Sequence, residues 1–157
     1  MNPLEQELNE LLVQAYRSIE QIEEQMLQAS EHLNLTISEI HLLEAVGERR
    51  QDTEGKTIGE ISECLGISPP SVTAAINKLV KKGYVEKKKS TVDGRLVHVT
   101  LTKEGHRANT AHRYFHTRMV RSVTSSLSRE EQESMLKGMR KLNCFFEQNL
   151  HKSEEKA

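Results

Sequence analysis

Apolar residues recur at spacings of three and four along most of this chain, and at spacings of two in one short stretch. Leu4, Leu8, Leu11, Leu12, Ala15, Ile19, Ile22 and Met26 predict one long amphipathic helix over residues 3–33. A terminal helix of that length calls for another helix, from the same chain or a second subunit, on its apolar stripe. Thr36-Ile-Ser-Glu39 and Thr57-Ile-Gly-Glu60 each have the Thr-x-x-Glu spacing of a capping box. The first opens a helix to Gly47; the second opens a helix of about two turns, ended by Gly66. Ser68 then caps a third helix running to Gly83, with Pro69 at its first position. Between these, QDTEGK (51–56) reads as a polar turn. Residues 84–89 and 96–102 read as a strand pair joined by STVDGR. In the second strand Val97, Val99 and Leu101 take one face, and His98, Thr100 and Thr102 the other. Thr102 caps a long helix to about residue 125. Ser128-Arg-Glu-Glu131 opens a last helix to about residue 150, and 151–157 is a tail.

Residues 57–83 are thus a short helix, a turn and a second helix, the arithmetic of a helix-turn-helix. Ile58, Ile61, Leu65, Ile67, Val72, Ile76, Leu79 and Val80 are the expected inward positions. The opposite face of the second helix carries Ser71, Thr73, Ala74 and Asn77, followed by Lys78 and Lys81. Small hydroxyl and amide side chains allow close approach to base edges, and Asn can pair bidentately with adenine. A plain helical hairpin would show the same apolar spacing. The two-stranded wing that follows favours the winged helix-turn-helix. Its tip, residues 90–95, would lie over the minor groove beside a recognition helix, where Arg95 profits from the concentrated negative potential. Asp93 would hold the Arg95 guanidinium in position; the bland alternative is a surface ion pair.

Charge sharpens this picture. The net charge is only −1, yet residues 1–55 carry twelve acids against Arg17, Arg49 and Arg50, a balance of −9. Residues 78–107 carry seven lysines and two arginines against Glu86, Asp93 and Glu104, a balance of +6. Segregation of this kind puts a basic face on a nearly neutral molecule. No apolar run reaches the roughly 18–20 residues of a membrane span, and the acidic N-terminus lacks a signal peptide's apolar core. Cys64 and Cys144 form no CxxC pair, which fits a reducing cytoplasm. Cys64 is expected to be partly buried and neither thiol to be a sensor. No nucleotide-binding, serine-hydrolase or metalloprotease motif is present, so no enzyme is expected.

The run TIGEISECLGISPPSVTAAINKLVKKGYVEKKKSTVDGRLVHVTLTKEG, residues 57–105, resembles the MarR family of bacterial transcriptional regulators, including the D-x-R…V-x-LT pattern at Asp93, Arg95, Val99, Leu101 and Thr102. The flanking helices match the family layout. The resemblance implies a mainly α fold with a small β-wing, a winged helix-turn-helix domain embedded in a helical dimerisation domain. It implies a dimerisation helix at 1–35, a DNA-binding domain at 36–105 (helix-turn-helix 57–83, wing 84–102) and C-terminal dimerisation helices at 106–150. A homodimer would bind a pseudo-palindromic duplex operator through Ser68, Ser71, Thr73, Ala74, Asn77, Lys78, Lys81, Lys88, Lys89, Thr91, Asp93 and Arg95. TISEIHLLEAVG (36–47), TAAINKLVKKGYV (73–85) and HRYFHTRMV (112–120) are similar to FabT-type repressors of fatty-acid synthesis, which implies an acyl ligand delivered on acyl carrier protein. Glu24, His41, His112 and His116 resemble instead the zinc site of metal-sensing members, with Glu20 and Glu23 as rival carboxylates. His112 and His116, four apart on one helical face, could reach one ion. The plainer alternative is that these histidines are structural or line the acyl pocket. A winged-helix adapter that binds protein rather than DNA is the other reading.

Overall fold

Capping chemistry sets most of the helix boundaries. The computed structural model describes residues 1–30, 33–48, 55–90, 93 and 96–154. Its elements are α1 (Pro3–Ala29), α2 (Ile37–Gly47), β1 (Lys56–Thr57), α3 (Ile58–Leu65), α4 (Pro69–Lys81), β2 (Val85–Lys89), β3 (Val97–Leu101), α5 (Lys103–Thr124) and α6 (Arg129–Glu154). The boxes at Thr36/Glu39 and Thr57/Glu60 close in both directions, side chain to backbone and back. Ser128 and Glu131 exchange the same pair of hydrogen bonds ahead of α6.

Three helix ends and one cap differ from expectation; α6 runs to Glu154, past residue 150. α1 stops at Ala29, before residue 33, because the Ser30 N–H turns back to the Leu27 carbonyl and the Ser30 hydroxyl to that of Met26. α4 stops at Lys81, and Gly83 follows in the left-handed region at φ 81°. Ser68 stands at the N-cap of α4 without donating or accepting a side-chain cap bond; its hydroxyl pairs with that of Ser71 at 2.9 Å. The cause is local: two prolines at the start of α4 leave few N–H groups for a cap to receive.

The wing is a three-stranded antiparallel sheet ordered β1-β3-β2. β2 and β3 pair from Val85↔Leu101 to Lys89↔Val97. β1 was not expected: Lys56 and Thr57 pair with Val99 and His98. Hence His98, expected on an outward face, is half-buried beside a third strand. Most of the turn at 51–56 lies outside the described residues.

By contacts the chain divides into two compact units, residues 1–112 and 113–157, and α5 runs across the division. The core of the first unit gathers Ile40 and Leu43 of α2, Ile61 of α3, Val72, Ile76 and Leu79 of α4, and Val99 of β3, each at most 1% exposed. Burying one such side chain contributes roughly 1.5–3 kcal/mol. Ile67 and Val80 are not in this core; they are 43% and 38% exposed. Ile67 follows the left-handed Gly66 and turns its carbonyl to the Ser62 hydroxyl, so its side chain faces out. Val72, Ile76 and Leu79 already fill the i, i+4, i+7 stripe of α4, and Val80 falls at its edge.

One ion pair ties distant segments of this unit together. Lys82 Nζ donates to both Glu39 carboxylate oxygens, at 2.8 and 2.7 Å, and to the Asn34 carbonyl at 2.9 Å. Burial alone would raise the Glu39 pKa; hydrogen bonds from Lys82 and Thr36 outweigh it, and the pKa lies below its ordinary value. A depressed carboxylate pKa stabilises the fold above the unfolded value, near 4.5, and that contribution is lost as pH falls through the folded value. Glu39→Gln is therefore expected to cost about 1 kcal/mol at neutral pH, and the gap to wild type should close on acidification. Urea unfolding of both proteins at neutral and acid pH checks this. A gap independent of pH would remove the ion pair from the account.

Candidate nucleic-acid interface

The buried stripe of α4 fixes which of its residues face solvent. Ser71, Ala74, Asn77, Lys78 and Lys81 are exposed, and Thr73 is half-buried. Ser68, at the head of the helix, is exposed as well. The structure thus brings these seven positions onto one helix, with short uncharged side chains ahead of the two lysines.

β2 supplies Lys88 and Lys89, both exposed. Lys88 pairs with Glu86 at 2.7 Å, and the hydrogen bond and charge of Lys88 hold the Glu86 carboxyl below its ordinary pKa. The wing is closed at its tip end by Ser90 N–H on the Leu96 carbonyl and Leu96 N–H on the Asp93 carbonyl, both 2.9 Å. Asp93 is exposed, and its N–H reaches the Ser90 hydroxyl at 3.3 Å. Thr91 and Arg95 lie outside the described residues, and with them the expected brace of Arg95 by Asp93. One further residue touches this face: Lys87, whose ammonium donates to Asn77 Oδ1 at 2.6 Å. Period-two reading of β2 would have found it, since Lys87 shares a face with the buried Val85.

A second cluster lies where α1, α2 and α5 meet. His112 is completely buried, with Nε2 3.5 Å from Glu23 Oε1 and Nδ1 3.4 Å from Glu44 Oε2. Glu23 Oε2 lies 3.6 Å from His41 Nε2, and the two imidazoles are 5.4 Å apart. The carboxylate in this group is Glu23, whose side chain is 4% exposed; Glu24 is exposed and is not the one brought in. The correction is one of helical phase: Glu23 lies four residues before the buried Leu27, on the same face. Donor atoms of Glu23, His41 and His112 lie within 4.8 Å of one another, and two imidazoles with a carboxylate suit zinc. His116 belongs to the second unit.

An open groove of about 680 Å³ has Leu33, Tyr84, Ala108 and Ala111 on its walls and Lys82, Glu104 and Arg107 as its charged residues. Cys64, expected to be partly buried, is exposed, as is Cys144. Desolvation and the nearby Glu48 charge push the Cys64 thiol above its ordinary pKa, which makes it a poor nucleophile at neutral pH. Among the described residues no helix is long and apolar enough to cross a membrane.

The comparisons agree with this architecture. The MarR family model matches residues 33–96. The structure of Streptococcus pneumoniae FabT in complex with DNA is 33% identical, covers 91% of this chain and 97% of that one, and superposes with a TM-score of 0.83. The Staphylococcus aureus MepR–DNA complex, 22% identical over 88% of this chain and 97% of that one, shares the fold with a TM-score of 0.69. Among curated sequences, an uncharacterized HTH-type transcriptional regulator of Bacillus subtilis, YhjH, is 26% identical over 102 residues. That match is 65% of this chain, which spans just over half, 56%, of the relative. The chain belongs to the MarR family.

Proposed function

We propose that the protein is a transcriptional regulator, a repressor, that binds duplex operator DNA as a homodimer, with α4 in the major groove and the β2–β3 wing beside it. The observation that carries this reading is the α4 face. A helix seated by fully buried residues presents short polar side chains to solvent, beside a lysine-bearing wing. A helix of purely structural use would not leave that face so short and uncharged. The likeness to the structure of FabT in complex with DNA supports it. Lys78, Lys81, Lys88 and Lys89 would neutralise phosphates, and Asn77 would read a base edge. In a gel shift, Arg95→Ala is expected to weaken operator binding about tenfold while leaving the melting temperature unchanged. A fall in stability of similar size would make Arg95 a structural residue.

The dimer follows from uncovered apolar surface. Leu4, Leu8, Leu11 and Leu12 of α1 are exposed, as are Met135, Leu136, Met139, Phe145 and Phe146 of α6. Stripes this long on terminal helices are costly in water and mark an association surface. Leu11→Asp is expected to convert the dimer to monomer, read by light scattering. A dimeric, folded variant would place α1 outside the interface.

For the effector we favour an acyl chain delivered on acyl carrier protein, and with it control of fatty-acid synthesis in the cytoplasm. The likeness to FabT and the groove beside Tyr84 support this. A zinc effector is the second reading, favoured by the convergence of Glu23, His41 and His112. Glu23, His41 and His112 would hold the zinc there. Duplex binding by wild type that is indifferent to zinc would end the zinc reading.

A further inference from the structure

Lys87 stands where the pattern of the wing calls for an apolar residue. It pairs with Val99 in the β2–β3 register, so both side chains leave the sheet on the same face. Val99 is fully buried there, and Val85, two residues before Lys87, is 2% exposed. Lys87 nevertheless stays exposed and spends its ammonium on Asn77 Oδ1, 2.6 Å away on α4. Lys88 differs: it faces the opposite side of the sheet and pairs with Glu86.

This contact has a chemical consequence. A carboxamide is planar, with an acceptor oxygen at one end and a donor NH₂ at the other. A charge-assisted hydrogen bond on the oxygen fixes the rotation of the group. With Oδ1 turned toward Lys87, Nδ2 points away from it. Two-bond recognition of adenine needs both ends, since Oδ1 must accept from the adenine N6 amino group. A lysine seated on that oxygen adds positive charge where a base donor would have to approach.

We propose that Lys87 is a specificity-determining positioning residue, which holds the Asn77 oxygen so that Asn77 offers DNA its NH₂ alone. Asn77 then selects base edges rich in acceptors, guanine O6 and N7 or thymine O4, over adenine in the two-bond mode. The inference rests on the DNA-binding reading above and adds the base class and the residue that sets it.

The test selects duplexes from a random library with wild type, Asn77→Ala, Lys87→Met and Lys87→Arg. Affinities for the selected duplex and single-base variants are then measured by fluorescence anisotropy over a salt series. The base pair read by Asn77 is the one whose preference vanishes in Asn77→Ala. Wild type is expected to prefer guanine or thymine there. Lys87→Met should reduce that preference roughly fivefold to tenfold with the salt slope unchanged. It should have no further effect in the Asn77→Ala background, and Lys87→Arg should restore the preference. A two-bond adenine preference in wild type overturns the proposal. So does a Lys87→Met variant whose salt slope falls by about one with specificity intact, since Lys87 would then be a phosphate contact. If wild type shows no salt-dependent binding to any duplex, the DNA-binding reading falls and takes this inference with it.

Discussion

His112→Ala is expected to cost the fold about 3 kcal/mol. His112 is completely buried and faces two carboxylates, Glu23 at 3.5 Å and Glu44 at 3.4 Å. Two effects add. Removing the ring empties a packed site between helices. It also strips Glu23, itself 4% exposed, of one of its two imidazole neighbours. A carboxylate buried without its partner costs about 3–5 kcal/mol; His41, 45% exposed, remains and keeps the loss toward the lower figure. Urea unfolding in the presence of chelator measures it. The double variant with Glu23→Ala should lose less than the two single losses added together, because the stranded charge is gone. A loss under about 1 kcal/mol for His112→Ala would remove the buried Glu23–His112 contact from the account.

Gly105→Ala is the second. Placing alanine in a helix ordinarily helps by about 1 kcal/mol. Here the added Cβ would stand 2.0 Å from the Tyr84 carbonyl oxygen and 3.3 Å from Leu101 Cδ2. That carbonyl already accepts the Thr102 N–H at 3.0 Å, while Thr102 Oγ1 donates to the Gly83 carbonyl at 2.7 Å and receives Gly105 N–H at 3.1 Å. The backbone cannot yield without parting the start of α5 from the wing. The clash therefore wins, and a net loss of about 2–3 kcal/mol is expected. Gly138→Ala, in α6 with nothing near its Cβ position, should instead gain about 0.5–1 kcal/mol. Equal effects at the two positions would contradict the close approach at Tyr84.

What could be read from sequence was what local chemistry decides. The helices at Thr36, Thr57 and Ser128 were legible because a cap and its partner lie three residues apart. The wing was legible because Val97, Val99 and Leu101 alternate and an Asp-Gly joins the strands. Long-range pairing was not: β1 is two residues long and finds its partner at Val99 and His98, some forty positions on. The choice of Glu23 over Glu24 is one of helical phase: Glu23 falls four residues after Ile19 and four before the buried Leu27, on one face of α1. Lys87 sits in a lysine run, which reads as solvated, and its partner, Asn77, lies on another element.

The central claim is that α4 and the wing bind duplex DNA through phosphates as well as bases. Its most direct test is the affinity of the purified protein for a duplex from its own promoter, measured across a range of salt concentrations. A dimer neutralising about six to ten phosphates predicts that log K falls linearly with log salt with a slope of roughly −5 to −9. Binding that is absent, or that does not respond to salt, would contradict it.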